Sequence, residues 1–357
     1  MTIGADILSL DFANLAAELR QAGLPEYRAK QIFDWLHARQ VGKFADMSNL
    51  PKQLREELAK KYHIARARAV CEQSSQDGTR KFLFEFADGQ RVETVAMQYR
   101  HGLSVCLSTQ IGCAMGCAFC ASTLGGLVRS LTAGEILAQL YAVSKLTKCR
   151  ADSIVLMGMG EPLDNFENVM RFCDIVIDAR GYNLAARGIT LSTCGIVPKI
   201  DELALQRRQL TLSVSLHAPS DAQRSLIMPI NKKYPLRELV PACVRYFKTT
   251  GRRVSLEYAV IAGKNDSEKD AAALADIAGQ IGAHINLIPV NPASDPSLCA
   301  TRQQAENFLA VLEARGANAT IRRTLGTDID AACGQLRRRA ETKDNEKVAD
   351  TERIISQ

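Results

Sequence analysis

Three cysteines, Cys113, Cys117 and Cys120, stand close together at spacings of four and three residues. Cysteine thiolates are the usual protein ligands of iron-sulfur clusters, and the glycines at 112 and 116 let the loop wrap tightly around such a group. Structural zinc sites normally combine two paired motifs, and the sequence has no second pair. We therefore interpret the cysteines as ligands of a four-iron cluster, in preference to a zinc site, a disulfide loop or buried thiols.

Three protein ligands leave one iron of a four-iron cluster open to a substrate. The cysteine spacing, with the aromatic Phe119 just before the last cysteine, resembles the CxxxCxxC motif of the radical SAM superfamily. The resemblance implies that the open iron binds the amino and carboxylate groups of S-adenosylmethionine (SAM). The predicted cofactors are one [4Fe-4S] cluster per chain and SAM.

The composition is that of an ordinary soluble globular protein, with 46% hydrophobic and 24% charged residues among 357. No apolar run approaches the ~18 residues that a membrane span needs, and the N-terminus lacks a basic segment followed by an apolar one. We expect a cytoplasmic protein without a membrane partner. In the reducing cytosol, its eleven cysteines indicate metal binding or catalysis before a disulfide framework. The net charge of +6 permits a nucleic-acid partner without requiring one.

From residue 101 onward, strand patterns alternate with helical patterns, which predicts a parallel sheet. The predicted strands are residues 103–108, 153–159, 188–193, 210–217, 254–261 and 284–289. The predicted helices are residues 133–146, 167–179, 236–248 and 267–281, and a last helix and short strand follow at 303–315 and 319–322. Six βα units predict an α/β fold, a partial (βα)6 barrel of the TIM type over residues 101–340.

Residues 1–75 are predicted to form a small helical domain, because apolar residues recur at helical spacing within 32–36 and 50–58. Between Arg20 and Lys61, nine basic residues accompany five acidic ones. This excess is typical of a module that binds RNA phosphates, and also of an ordinary solvated helix face. We predict an RNA-binding domain and keep the solvated face as the alternative.

Two alternating segments, residues 81–86 and 91–97, flank an Asp88-Gly89 turn, which is a strong hairpin signal. We assign residues 76–100 to a β-hairpin that links the helical domain to the barrel. At the other end of the chain, residues 341–357 are polar enough to predict a flexible tail.

In a barrel of parallel strands, ligand-binding residues gather at the carboxyl ends of the strands. The cysteine loop follows the first predicted strand, and residues 158–162 follow the second with glycines that allow close backbone approach and a carboxylate that can bind an ammonium group. The predicted cofactor-binding set is Gly160, Glu161, Ser192, Ser215, His217 and Asn291. Singly these are weak indications, since a strand-end serine is commonly a turn residue and a lone histidine a core residue. Together they predict a binding site for a nucleoside and an amino acid.

Several segments resemble the RlmN family of dual-specificity RNA methyltransferases more closely than they resemble the superfamily in general. They are residues 90–95, the cysteine loop, and residues 158–162, 215–219, 229–234 and 326–336. The similarity extends from about Leu24 to Leu336, and the segment that contains Cys333 is its most specific motif. The resemblance implies methylation of C2 of an adenine in 23S ribosomal RNA, adenine 2503 in its usual naming, and of adenine 37 in certain transfer RNAs.

Adenine C2 is electron-poor and does not attack the sulfonium methyl of SAM as an ordinary nucleophile, so a radical route is needed. In the family, one SAM methylates a cysteine that corresponds to Cys333, and a second SAM yields the radical that removes a hydrogen from this methyl group. The carbon radical adds to C2, and a cysteine that corresponds to Cys106 releases the product by forming a disulfide. Glu93 corresponds to the family's proton acceptor. The implied catalytic residues are therefore Glu93, Cys106 and Cys333.

The implied partners are 23S rRNA and tRNA, with an electron donor such as flavodoxin and its reductase, and we expect a monomer. The Cfr group, which methylates C8 of the same adenine and confers antibiotic resistance, has similar motifs and is one alternative. Pro162 and residues 121–126 and 231–234 favour the C2 enzymes. A second alternative is a non-catalytic RNA-binding protein with a structural zinc.

Overall fold

The computed structural model describes residues 4–289, 300–323, 325–326 and 328–329. The first elements of the chain form a helical module. Its elements are strand β1 (Ala5–Asp6), helices α1 (Phe12–Gln21), α2 (Glu26–Phe33) and α3 (Lys52–Lys61), and strand β2 (Tyr62–His63). Asp11 caps α1 by accepting a hydrogen bond from the Asn14 N–H at 2.8 Å. β1 pairs in parallel with β2, so the two ends of the module lie side by side.

The predicted hairpin is present, and it belongs to a larger sheet. Strands β3 (Arg68–Ser74), β4 (Arg80–Glu85), β5 (Arg91–Tyr99) and β6 (Gly102–Cys106) follow one another as antiparallel neighbours. β4 and β5 are the two arms of the expected hairpin. β3 lies inside the segment that we assigned to the helical domain, and its pairing with β4 extends the sheet at this edge.

Strands and helices alternate through the rest of the described chain. They are β7 (Gln110–Gly112), β8 (Leu127–Ser130), α4 (Ala133–Thr147), β9 (Ala151–Leu156), α5 (Phe166–Ile177), β10 (Ile189–Thr193), α6 (Val197–Leu205), β11 (Thr211–Ser215), α7 (Asp221–Ile227), α8 (Leu236–Thr250), β12 (Ser255–Val260), α9 (Glu268–Ile281), β13 (His284–Pro289), α10 (Arg302–Ala314) and β14 (Ala319–Ile321). Thr132 and Glu135 form a capping box at the start of α4. The sequence did not predict α6 and α7, because helices of nine and seven residues give little helical periodicity.

Ten strands form one sheet in the order β14-β13-β12-β11-β10-β9-β6-β5-β4-β3. All neighbours from β6 to β14 pair in parallel. The six predicted strands and the short last strand are present, with bounds that differ from the prediction by at most three residues. The predicted α/β fold is therefore confirmed, and β3 to β5 widen its sheet beyond the six parallel units.

The two faces of this sheet differ in polarity, because successive strand residues point to opposite sides. One face packs against the helices and buries apolar side chains in a shared core: Val105, Ile154, Leu191, Leu212, Leu256 and Ile285. Residues of the alternate parity form a polar row across neighbouring strands: Ser192, Ser213, Ser215, Ser255, Glu257 and Asn286. Since the helices cover the apolar face, the polar face is the inner side of the partial barrel.

The helical module packs against the outer helices of the barrel. His37, in the π-helical turn Asp34–Ala38, is fully buried, and its Nδ1 lies 2.8 Å from the Tyr141 hydroxyl on α4. Burial lowers the pKa of His37 to about 3, so its ring is neutral at physiological pH. Gly134 on α4 has no space for a side chain, because a Cβ there would lie 1.9 Å from Asp6 Oδ2. A membrane-crossing helix would have to be longer and more apolar than any in the described ranges.

Candidate functional site

The loop that carries the three predicted cluster ligands is closed at its base by the paired strands β7 and β8. Gly112 has a φ of 77°, and a Cβ there would lie 1.9 Å from the Gly126 carbonyl oxygen, so a side chain is excluded. The Cys113 N–H donates a hydrogen bond to the same oxygen at 3.0 Å. The start and the end of the loop are thus held together directly before the first cysteine.

Cys113 and Cys117 are buried and Cys120 is partly buried. Burial raises the pKa of Cys113 to about 11 and that of Cys117 to about 12, and the nearby Cys120 adds to both increases. Metal binding to such thiols displaces their protons and is therefore favoured as the pH rises. Among the described residues, no three His, Cys, Asp or Glu side chains converge on a single point that could hold one metal ion. A four-iron cluster does not require such convergence, because each thiolate binds a different iron.

A small apolar cluster, distinct from the main core, surrounds these cysteines. Its buried members are Cys117, Cys194 and Met228, and partly buried residues pack against them: Met115, Phe119, Cys120, Ile196, Ile227 and Ile230. An apolar shell limits water access and so influences the reduction potential of a cluster. The donor set and its shell fit a [4Fe-4S] cluster held by Cys113, Cys117 and Cys120.

The segment after β9 is pressed against the connection that leads from β6 to β7. A Cβ on Gly158 would lie 2.7 Å from the Leu107 carbonyl oxygen. Gly160 has a φ of 99°, and its Cβ would lie 2.5 Å from the Cβ of Gln110. Both glycines are therefore required by the close approach, as the sequence predicts.

Glu161 lies buried between the loops that follow β9 and β10. Its carboxylate accepts hydrogen bonds from the N–H groups of Cys194 at 2.8 Å and Leu163 at 3.1 Å. Burial raises the pKa of Glu161, and these backbone hydrogen bonds act in the opposite direction. The side chain thus joins two strand-end loops next to the cysteine loop.

Arg224 is a site residue that the sequence analysis missed. It is wholly buried. Its guanidinium donates to the carbonyl oxygens of Leu216 at 3.2 Å, Cys194 at 2.6 Å and Ser215 at 3.2 Å, and to Asn231 Oδ1 at 2.9 Å. It therefore joins the loops after β10 and β11. Its hydrogen bond to Asn231 also gives a structural role to residues 229–234, one of the segments that resemble the RlmN family. Its charge also acts on Cys117, whose pKa it lowers against the dominant effect of burial.

His217 and the two predicted serines lie at neighbouring strand ends. His217 is buried with a φ of 54°, and its Nδ1 accepts a hydrogen bond from the Ala259 N–H at 3.0 Å. Burial lowers the pKa of His217 to about 3, so the ring is neutral. The edge of the ring meets Phe119 of the cysteine loop, with centroids 4.8 Å apart. Ser192 and Ser215 are partly buried on the inner face of β10 and β11. The structure therefore brings this part of the predicted set beside the cysteine loop.

Glu257 is a second residue that the sequence analysis missed. It is buried on β12, where Ser213 Oγ donates to its Oε1 at 2.6 Å and Asn286 Nδ2 to its Oε2 at 2.7 Å. The sequence did contain a pattern that could have predicted it. In β11, β12 and β13, serines, a glutamate and an asparagine alternate with apolar residues. Glu257 lies opposite Ser215 in the register of β11 and β12, so it faces the same interior.

Two of the three implied catalytic residues lie on the inner face of β5 and β6. Glu93 and Cys106 are both buried. Ser108 donates a hydrogen bond to the Glu93 carbonyl oxygen at 2.6 Å and accepts one from the Met159 N–H at 3.0 Å, which joins β5 to the segment after β9. Cys333 and Asn291 lie outside the described residues, as does the predicted tail at 341–357.

The beginning of the segment that leads to Cys333 is described, and it contacts the turn between β3 and β4. The Gly326 N–H donates to Asp77 Oδ2 at 2.8 Å. Asp328 accepts hydrogen bonds from the Ser75 hydroxyl and from the Gln76 N–H, the latter at 3.1 Å. These contacts join Gly326 and Asp328 to the turn between β3 and β4, and β4 is the neighbour of β5, on which Glu93 lies.

Family models match both parts of the chain. Residues 107–275 match the radical SAM superfamily, and residues 5–64 match the ribosomal RNA large subunit methyltransferase N-terminal domain. A crystal structure of a radical SAM methyltransferase from Sphaerobacter thermophilus superposes with a TM-score of 0.88 at 44% identity, over 93% of this chain and 98% of that one. The predicted radical SAM fold, cofactor class and enzyme class are confirmed.

Curated relatives of this chain carry the name "Probable dual-specificity RNA methyltransferase RlmN". The relative from Clostridium perfringens (strain SM101 / Type A) is 47% identical over 93% of this chain and 96% of its own length. The relative from Bacillus subtilis (strain 168) is 48% identical over 93% of this chain and 92% of its own length. These matches do not favour the Cfr alternative. With this identity, this coverage and this arrangement of the cysteine loop and strand ends, the chain belongs to the RlmN family of radical SAM methyltransferases.

Proposed function

We propose that this chain is a SAM-dependent RNA methyltransferase that adds a methyl group to C2 of adenine 2503 in 23S rRNA and of adenine 37 in tRNA. One observation carries the proposal. The polar inner face of the barrel brings Glu93 and Cys106 onto the same sheet surface as the strand-end residues beside the cysteine loop. A cofactor site and a pair of residues suited to RNA methylation thus share one interior.

The residues that we assign to the cofactors are those described above. Cys113, Cys117 and Cys120 hold the cluster, and Gly160, Glu161, Ser192, Ser215, His217 and Asn291 surround SAM. When bound, the cluster supplies the electron for reductive cleavage of SAM. The neutral ring of His217 and the backbone at the two glycines offer hydrogen-bonding groups without adding charge, which suits the uncharged faces of a nucleoside.

Glu93 accepts the C2 proton of the radical adduct, the unpaired electron of that adduct passes to the bound cluster, and Cys106 then releases the RNA from Cys333. In the release step, Cys106 sulfur forms a disulfide bond with Cys333 sulfur and the carbon-sulfur bond to the methylene breaks. The electron pair of that bond goes to the methylene carbon, which takes up the proton that the Cys106 thiol gives up and becomes the methyl group. The burial of Glu93 and Cys106 supports these roles, because it keeps water from competing with the adduct.

Cys106→Ala tests this assignment. It should keep its cluster and cleave SAM but remain covalently attached to RNA, because no thiol can break the carbon-sulfur bond. Cys333→Ala should form no adduct, since nothing carries the methylene. A denaturing gel of each nuclease-treated protein measures the attached nucleotide. Wild-type turnover by Cys106→Ala, or an adduct on Cys333→Ala, would contradict the two roles.

We propose that the N-terminal module, residues 1–75, binds RNA. A cavity of about 1080 Å³ lies between α3, β2 and the β4–β5 hairpin. Four acidic side chains contribute to its lining, Asp6, Glu56, Glu85 and Glu135, together with five basic ones, Lys43, Lys52, Arg55, Arg66 and Arg68. Phosphate contacts by such residues would make affinity fall with salt, so deletion of residues 1–70 should weaken RNA binding and reduce its salt dependence. Unchanged affinity and salt dependence would favour the solvated helix face instead.

We also propose that the enzyme acts as a cytoplasmic monomer that receives electrons from flavodoxin and its reductase. The support for a docking donor is the exposed apolar side chains of Leu124, Leu127 and Val128, which directly follow the cluster cysteines. The other exposed large apolar residues of the described ranges lie on separate elements, which supports a monomer. Light scattering of the purified protein, and SAM cleavage with reduced flavodoxin, test these two points.

The overall proposal is tested by incubating anaerobically reconstituted protein with SAM, a reductant and either a 23S rRNA fragment or tRNA. Mass spectrometry of the nucleosides should find 2-methyladenosine in both, and Cys117→Ala should produce none. Finding 8-methyladenosine instead would support the Cfr-like alternative. Zinc without iron in anaerobically purified protein, and no methylated product, would support the non-catalytic alternative.

A further inference from the structure

A lysine that has no role in the chemistry above lies buried beside Glu93. The side chain of Lys81 is 0% exposed, and its Nζ is 2.9 Å from Glu93 Oε2, whose side chain is 4% exposed. Lysine is almost never fully buried unless it is paired. Replacing a buried ion pair with apolar residues of similar volume is often neutral or stabilising, so folding alone gives little reason for this pair.

The strand register places Lys81, Glu93 and Cys106 on one surface. Lys81 pairs with Val95 across β4 and β5, and Val95 pairs with Cys106 across β5 and β6. Glu93 is two residues from Val95, so its side chain points to the same side of the sheet. Lys81 is therefore part of the interior in which we place the adenine.

We propose that Lys81 is a positioning residue, which keeps the Glu93 carboxylate charged and oriented until that carboxylate accepts the C2 proton of adenine. The inference rests on the proposed function of Glu93 and Cys106. It adds no oxidant or reductant. The proton leaves adenine C2 and goes to a Glu93 oxygen, while Lys81 keeps its own proton.

The charge of Lys81 also reaches Cys106. Burial raises the pKa of the Cys106 thiol and the charge of Glu93 raises it further, whereas Arg322, after β14, and Lys81 lower it. Among the described residues, Glu93, Lys81 and Arg322 are the charged groups that affect the pKa of Cys106. Once Glu93 is protonated, its charge disappears and those of Lys81 and Arg322 remain. Loss of that charge removes one of the two effects that disfavour the Cys106 thiolate, while burial, the larger one, remains.

The test compares neutral and charged replacements of Lys81 in the full chain with its cluster. Lys81→Met and Lys81→Gln remove the charge, and Lys81→Arg keeps it. Lys199→Met is the matched control, because Lys199 pairs with Glu202 at 2.6 Å on the surface, with side chains 36% and 40% exposed. Each variant is measured for iron content, SAM cleavage, covalent RNA adduct, and the pH dependence of product release in a single turnover.

Both neutral variants should retain iron and SAM cleavage but accumulate the RNA adduct at neutral pH. The acid limb of the pH profile should move upward, because the 2.9 Å ion pair that favours the charged carboxylate is lost. Raising the pH should then release the adduct. Lys81→Arg and Lys199→Met should give the wild-type profile.

Three results would overturn the proposal. The first is an unchanged pH profile and no adduct in the neutral variants, and the second is a Lys81→Arg profile that matches theirs. The third is loss of the cluster or of SAM cleavage in both neutral variants, which would assign Lys81 to folding. Wild-type protein that forms neither adduct nor methylated RNA would instead refute the proposed function on which the inference rests.

Discussion

Arg224→Met should destabilise the fold strongly, because this arginine is wholly buried and four acceptors receive its hydrogen bonds. Three of them are backbone carbonyl oxygens at the ends of β10 and β11, next to the cysteine loop. Methionine fills a similar volume but donates no hydrogen bond, so these oxygens would be left buried without their partner.

The magnitude follows from two opposing contributions. Hydrogen bonds to a charged group contribute about 1.5–3 kcal/mol each, so four amount to roughly 6–12 kcal/mol. Burying the guanidinium costs several kcal/mol, and methionine removes that cost. We therefore expect a net loss of ~3–5 kcal/mol in the free energy of unfolding, the range for breaking a buried charged network.

Arg245→Met is the matched control. Arg245 makes two hydrogen bonds of 2.8 Å to Asp201, but the two side chains are 51% and 40% exposed, so its loss should cost less than about 1 kcal/mol. Urea unfolding of the cluster-free, reduced proteins measures both values without the added stability of bound ligands. Equal shifts in the two variants, or a loss below ~1 kcal/mol for Arg224→Met, would refute the reasoning.

Four further predictions concern the site. Alanine at Cys113, Cys117 or Cys120 should abolish iron binding and SAM cleavage, while Cys194→Ala, in the same apolar cluster, should keep both; full iron retention in the first three would contradict the ligand assignment. Gly160→Ala should weaken SAM binding at least tenfold by calorimetry, because its φ of 99° and a 2.5 Å approach to Gln110 exclude a Cβ; wild-type affinity would argue against this close packing. Although burial opposes it, hydrogen bonds from Gly326 and Thr79 hold the pKa of Asp77 at about 2, below the usual 3.8. The stabilising contact with residue 326 is then complete above pH 3.8 and lost as the pH falls through about 2, so Asp77→Asn should increase protease cleavage near residue 326 at pH 7, and equal cleavage would count against it. Cys333 should carry a methyl group in protein isolated from cells, because displacement on SAM needs only a thiolate; peptide mass spectrometry that finds only unmodified Cys333 after incubation with SAM would contradict this.

The sequence predicted the parts of the site whose signal is local. Three cysteines within one loop indicate cluster ligation by their spacing alone, and Gly158 and Gly160 indicate close backbone approach by their residue type. The strands were predicted for a similar reason, because their patterns are visible within five or six residues. In β11 apolar residues alternate with serines, and in β9 they form a short run.

Other features depend on residues far apart in the chain, and only the tertiary structure showed them. Arg224 gives no sign in the sequence that it binds the carbonyl oxygen of Cys194, thirty residues earlier. β3 pairs with β4 at the edge of the barrel sheet although its own pattern is largely exposed.

Lys81 gives the sharpest contrast. In the sequence it is one basic residue at the start of an alternating strand, where a solvated lysine is the ordinary expectation. The structure buries it completely, on a strand that lies between two others and in an ion pair with Glu93. Local spacing therefore predicted the candidate ligands and the strands of this protein. The burial and pairing of charges depended on which distant strands meet, and a sequence pattern does not contain that information.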